Sequence, residues 1–123
     1  MLDEKQVNQL AQEWLESWNS HNIDRIISHY EDDVELTSPV VTQLLGDVSG
    51  TVRGKENLKA YFLKGLAAYP DLKFEPIEVL SGINSIVIYY LNQRGTHTAE
   101  YMEITRSRKI ARVVANYSQV TRK

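Results

Sequence analysis

Ser85-Ile86-Val87-Ile88-Tyr89-Tyr90-Leu91-Asn92-Gln93-Arg94, then Gly95, then Thr96-His97-Thr98-Ala99-Glu100-Tyr101-Met102-Glu103-Ile104-Thr105, spells two strands joined at a glycine turn. Both runs are rich in β-branched and aromatic side chains, which suit a pleated surface. In the second run alternate side chains share a face, so Thr98, Glu100, Met102 and Ile104 stand together. Turned inward, that face desolvates the Glu100 carboxyl among mostly apolar neighbours, and its protonation becomes either a chemical tool or a structural cost. The first run is apolar on both faces. One face meets helices and the other needs a second cover, for which a partner subunit is the economical answer.

Working outward, Leu72 to Leu80 is a strand whose Pro76 marks a bulge or an edge, and Lys109 to Thr121 is another. In the latter Ala111, Val113, Ala115 and Tyr117 form an inner face against Arg112, Asn116 and Ser118. Long strands with short turns make an antiparallel meander. Upstream, Val7, Leu10, Ala11, Trp14, Leu15 and Trp18 recur at helical spacing. Asn22 caps a second helix with Ile23, Ile26, Ile27 and Tyr30 inside, ended by Asp32-Asp33. Val34 to Thr37 is a short strand stopped at Ser38-Pro39, residues 40–53 form a loop or flap with a short strand at most, and Lys55 to Ala68 is a third helix, closed off by Pro70. Helices first and strands last define an α+β domain over residues 1–123, with helices on one face of the sheet.

The 123 residues carry 14 basic and 16 acidic side chains, a formal net charge of −2, so nothing draws the whole molecule to nucleic acid. The basic stretches 106–109 and 121–123 are short and read as solvated loop and terminus. Without cysteine there is no disulfide, thiolate site or cysteine nucleophile. No run approaches the roughly 18 apolar residues that span a bilayer, and a cytoplasmic protein is the default expectation. His21, His29 and His97 lack paired ligand spacing, so no metal is expected. Ser38 has no nucleophile elbow, and Gly46 and Gly50 are in the wrong context for a phosphate loop.

The order helix, helix, short strand before a proline, helix, four-stranded meander resembles the nuclear transport factor 2-like superfamily, in its SnoaL-like and ketosteroid-isomerase-like branches. The likeness is carried by Trp14 to Asn19, Asp24 to Tyr30, Asp32-Asp33-Val34 running into Ser38-Pro39, Gly54 to Leu58, and the hairpin at Lys109-Ile110. It implies a cone-shaped α+β barrel: three N-terminal helices packed on a strongly curved, mostly antiparallel sheet, a small-molecule pocket at the open end, and a homodimer through the outer sheet face. Ketosteroid isomerases use an aspartate base just before a proline, a tyrosine on the first helix and a protonated aspartic acid in an apolar site. The matching positions here are Ser38, Trp14 and Glu100, so the steroid mechanism is not expected intact.

The resemblance turns Glu100, Met102 and Ile104 toward the cavity with Tyr90 and Asn92, places Val113, Ala115 and Tyr117 on the far wall, and brings Tyr61 in from the third helix. The expected site is therefore Glu100 as acid, with Trp14, Trp18, Tyr30, Ser38, Tyr61, Tyr90, Asn92, Met102, Val113 and Tyr117 around a small apolar ligand, and no cofactor. Two functions stay open. Glu100 either exchanges a proton with an apolar carbonyl compound in an isomerase- or cyclase-like reaction, or is satisfied by Trp14 or a backbone amide in a non-catalytic binding or dimerisation module. The two tryptophans and the tyrosines are likewise either ligand contacts or core and pocket wall.

Overall fold

A computed structural model describes residues 2–118. Asp3 opens the first helix, α1 (Glu4–Ser20), in a capping box with Gln6, and α1 ends where His21 turns left-handed at φ 61°. Asn22 caps α2 (Ile23–Ile27) through its side-chain oxygen. This helix is shorter than its apolar spacing predicts. Tyr30 does not extend it but begins strand β1 (Tyr30–Thr37), because Ile110 N–H donates to the His29 carbonyl and Tyr30 pairs with Ile110. Ladder bonds outweigh helix period, and the register shifts between Tyr30 and Glu35, so Asp32 and Asp33 stand in β1 rather than ending a helix.

Residues expected as a loop or flap begin with a further helix, α3 (Pro39–Leu45). Ser38 caps it by accepting from Val40 N–H, Pro39 takes the first turn, and fully buried Val41 anchors it. Strand β2 (Thr51–Arg53), α4 (Lys55–Ala68), β3 (Glu75–Ser81), β4 (Ser85–Leu91), β5 (His97–Ile104) and β6 (Ile110–Tyr117) complete the chain. Residues 119–121 of the expected last strand, and the basic tail 121–123, lie outside the described residues.

The six strands form one sheet in the order β2-β1-β6-β5-β4-β3. Every neighbouring pair is antiparallel except β1 with β6. The sheet is curved and remains open rather than closing as a barrel, with β2 and β3 as its edges. Edge strand β3 has the irregularity that Pro76 foretells, a register shift between Pro76 and Glu78. Another shift, between Glu103 and Ile104, skips Ala111 and turns Ile110 inward at 1% exposure, so Ala111 is not on the inner face as its spacing suggested.

The helices cover the concave face, where Trp14, Ile26 and Leu58 meet Ile86, Ile88, Met102 and Val113 in one continuous core. Among the described residues no helix is long and apolar enough to cross a membrane.

Candidate functional site

β5 runs between β4 and β6, so Glu100 sits mid-sheet, opposite Ile88 on one side and Ala115 on the other. Its side chain is only 8% exposed. Tyr90, diagonal to it on β4, donates its hydroxyl to Oε2 of Glu100 at 2.7 Å. That is the one hydrogen bond to this carboxyl among the described residues, and it leaves Oε1 for a ligand. Burial raises the carboxyl and the Tyr90 bond holds it back, leaving its pKa at about 7.

Above the acid lies a hollow in which the centres of water-sized molecules can range over about 90 Å³. About 10–15 Å³ of such space is enough to hold one water, so the hollow has room for a small molecule well beyond a single water. Trp18, Tyr30, Ser38, Tyr61, Tyr90, Asn92, Glu100 and Tyr117 all line it. Trp14, Met102 and Val113 do not: they are 1%, 0% and 0% exposed and pack in the closed core behind the wall.

Trp14 instead donates its indole N–H to the Tyr30 hydroxyl at 3.0 Å. The phenol presented to the hollow is therefore that of Tyr30, with Trp14 holding it from behind. Trp14 also stacks on Phe74, which packs in turn on Tyr90 with ring centroids 4.2 Å apart and planes tilted by 33°. Trp18 is set edge-to-face on Phe62, and its N–H, buried, has no hydrogen-bond partner among the described residues.

At the opposite wall Ser38 Oγ lies 3.5 Å from the Tyr117 hydroxyl and already accepts from Val40 N–H. Serving as a helix cap, with no histidine or carboxylate against it among the described residues, Ser38 is not equipped as a base. Burial pushes the phenols of Tyr30, Tyr61 and Tyr90 well above 10 and that of Tyr117 up to about 12. All four remain neutral donors at physiological pH. Asn92 is engaged in structure: its Oδ1 accepts from the N–H groups of Arg94 and Thr96, fixing the β4–β5 turn.

The hollow has contributors beyond the expected set. Val40 comes from α3, and Tyr69, Leu72 and Phe74 from the segment running from α4 into β3. Gln93 and Arg94 come from the turn, where the glycine signal marked a bend but not its direction. No group of three His, Asp or Glu among the described residues is placed to hold a metal. His21 bonds the Leu72 carbonyl, and His97 bonds the Tyr89 hydroxyl on the outer face.

A SnoaL-like domain model matches residues 11–118. No curated protein matches the chain significantly. Among solved structures, a SnoaL-like protein of unknown function from Burkholderia thailandensis is 36% identical, with a TM-score of 0.91 over 95% of this chain and 98% of that one. A protein of Kribbella flavida proposed to be a ketosteroid isomerase is 15% identical, with a TM-score of 0.75 over 97% and 82% of the two chains. SalBIII, an epoxide hydrolase/cyclase-like enzyme of pyran ring formation in salinomycin, is 17% identical, with a TM-score of 0.75 over 97% and 95%. The last two likenesses speak for fold alone. The family model and the Burkholderia relative, both spanning nearly the whole of it, make this chain a member of the SnoaL-like family.

Proposed function

We propose that the chain binds a small, largely apolar carbonyl compound and that Glu100 transfers a proton on it without a cofactor, in an isomerase- or cyclase-like reaction. The observation that carries this is the isolation of Glu100: one phenolic partner, an apolar surround, and a carboxyl poised at about 7. An acid–base group is most effective near the working pH, where both its forms are populated. With Oε1 unclaimed and the Tyr30 hydroxyl braced by Trp14, the hollow offers a proton acceptor and a donor for a developing enolate oxygen. SalBIII, which shares this fold, is a cyclase-like enzyme with a role in pyran ring formation.

A non-catalytic binding or dimerisation module is the second possibility, favoured by Ser38, whose oxygen is spent on capping α3. In either case a cytoplasmic homodimer joined through the outer sheet face is the proposed assembly, supported by the apolar side chains of β4 on that face.

Two measurements test the proposal. Carbon-detected NMR of the Glu100 carboxyl should give a midpoint near 7, and a midpoint near the ordinary value of about 4.3 would remove the acid–base role. In deuterated buffer at neutral pH, the wild type should speed exchange of the α-hydrogens of 1-indanone, with Glu100 taking the carbon-bound proton and returning a deuteron to the enolate. Glu100→Gln should abolish that acceleration. Equal exchange by both proteins, or none by either, would leave the binding module as the function.

A further inference from the structure

Among the described residues two charged side chains line the hollow, buried Glu100 at its floor and exposed Arg94 at its mouth. The first is held neutral or ionised by its surroundings, whereas a guanidinium is always charged. Arg94 is also well placed to stay where it is. Asn92 pins the backbone of its turn from both sides, and Gly95 follows at φ 75°, a conformation that suits glycine. Its guanidinium lies 5.5 Å from the centroid of the Tyr69 ring, at the residue that caps the end of α4.

Among the described residues no carboxylate lies within ion-pair distance of Arg94, although five such pairs form elsewhere on the surface. Arg94 and Tyr117 line the same hollow, and the guanidinium charge offsets part of the effect of burial on the Tyr117 phenol. Beside Arg94, Gln93 has a buried side-chain oxygen without a partner among the described residues. The mouth thus gathers a fixed cation and a phenolic donor, while the interior is aromatic and aliphatic. A neutral hydrocarbon would leave the mouth groups unused, and a dianion would bring a second charge against the apolar wall.

We propose that the molecule taken up is a monoanion: a one- or two-ring carboxylic acid whose carboxylate rests between Arg94 and Tyr117, its rings extending inward to Glu100. This rests on the hollow being the binding site, and it specifies the substrate as an aromatic or alicyclic keto acid rather than a neutral ketone. The carboxylate, bound at the rim by charge-assisted hydrogen bonds, would set the distance to which the reacting end penetrates.

The test compares 2-naphthoate with 2-acetonaphthone, which has the same rings and a methyl ketone in place of the carboxylate. Binding is followed by the indole N–H signals, of which that of Trp18 reports the hollow. At low ionic strength naphthoate should shift the Trp18 signal and bind about fivefold more tightly than the ketone, with the advantage fading in 0.5 M salt. Arg94→Gln should erase the advantage by weakening naphthoate far more than the ketone, and Arg94→Lys should keep part of it.

Arg94 is exposed, and an otherwise unaltered amide spectrum will show that the variant is folded. Equal binding of the two probes, insensitive to Arg94→Gln, would overturn the anion assignment while leaving the hollow as a binding site. Naphthoate binding that never moves the Trp18 signal would place the anion outside the hollow and equally overturn it. Failure of both probes to bind at millimolar concentration would overturn the pocket itself, and this inference with it.

Discussion

A carboxyl in an apolar hollow titrates where its solvation and its partners place it, and for Glu100 the two oppose each other: burial raises, the Tyr90 hydroxyl lowers. With a folded value of about 7 against 4.5 for an unperturbed glutamate, the native state holds more protons than the unfolded chain throughout that window. Stability contributed by this group therefore falls as pH rises from about 4.5 to 7, and the full cost, about 3 kcal/mol, is present above that. Glu100→Gln keeps an acceptor for Tyr90 and carries no charge, so it should be more stable than the wild type by up to about 3 kcal/mol at pH 8. The gap should close toward pH 4.5. Urea unfolding of both proteins across that range checks this, and a gap independent of pH would refute it. Strand alternation, with its fixed period of two, grouped Glu100 with Thr98, Met102 and Ile104, and the family resemblance is what turned that face inward. The placing of Trp14 was not legible. Helical spacing puts it on the inner stripe, but only the Tyr30 hydroxyl, from another element, decides that the indole bonds backward into the core.

Elements hold the hollow open through a few cross-links, and the most economical is Asn19 at the end of α1. Its amide donates to the Phe74 carbonyl at 2.9 Å and accepts from Phe74 N–H at 2.7 Å, tying the helix to the approach of β3 across 55 residues of chain. Asn19→Ala frees both backbone groups of Phe74 in a partly buried place and should cost about 1–3 kcal/mol. The check is a lower urea midpoint with an unchanged m value; an unmoved midpoint would show that water replaces the amide. Helices α1 and α4 and the four-strand meander were readable in the sequence, since each is long enough for its period to repeat several times. α3 was missed although Ser38-Pro39 is a good helix start, because the same pair also ends a strand and the helix runs only seven residues before Gly46. Asp32-Asp33 misled in the opposite direction: their acidity suits a helix end, yet pairing with β6 draws the segment into the sheet. Both errors fall on short segments where non-local ladder and core contacts outweigh local preference.

At the scale of the molecule the unsettled surface is the convex face of the sheet. The inner residues of β4, Ile86, Ile88 and Tyr90, are buried, while Val87, Tyr89 and Leu91 on the outer side are only half-buried. Val87 stands opposite Tyr101, and Tyr101 opposite Val114, which makes an apolar row across three strands. The row is flanked by polar pairs, Glu103 with Arg112 on one side and Tyr89 with His97 on the other. An apolar centre with a polar rim is the anatomy of a protein interface. A two-fold partner laid on this face would cover the row with its own copy, and a stable pair buries about 800 Å² from each subunit. Sedimentation at micromolar concentration should accordingly show a dimer. Val87→Lys should yield a folded monomer, since a lysine there meets water in the monomer at little cost but would be forced against apolar surface, and near its own symmetry mate, in the pair. A wild type that sediments as a monomer at tens of micromolar would count against this face as an interface. A Val87→Lys variant that remains dimeric would move the interface elsewhere on the molecule. Because the hollow opens at the β4–β5 turn while the row lies on the other side of the same strands, loss of the dimer should leave Glu100 titrating near 7, which the same carbon-detected measurement would read on the monomeric variant.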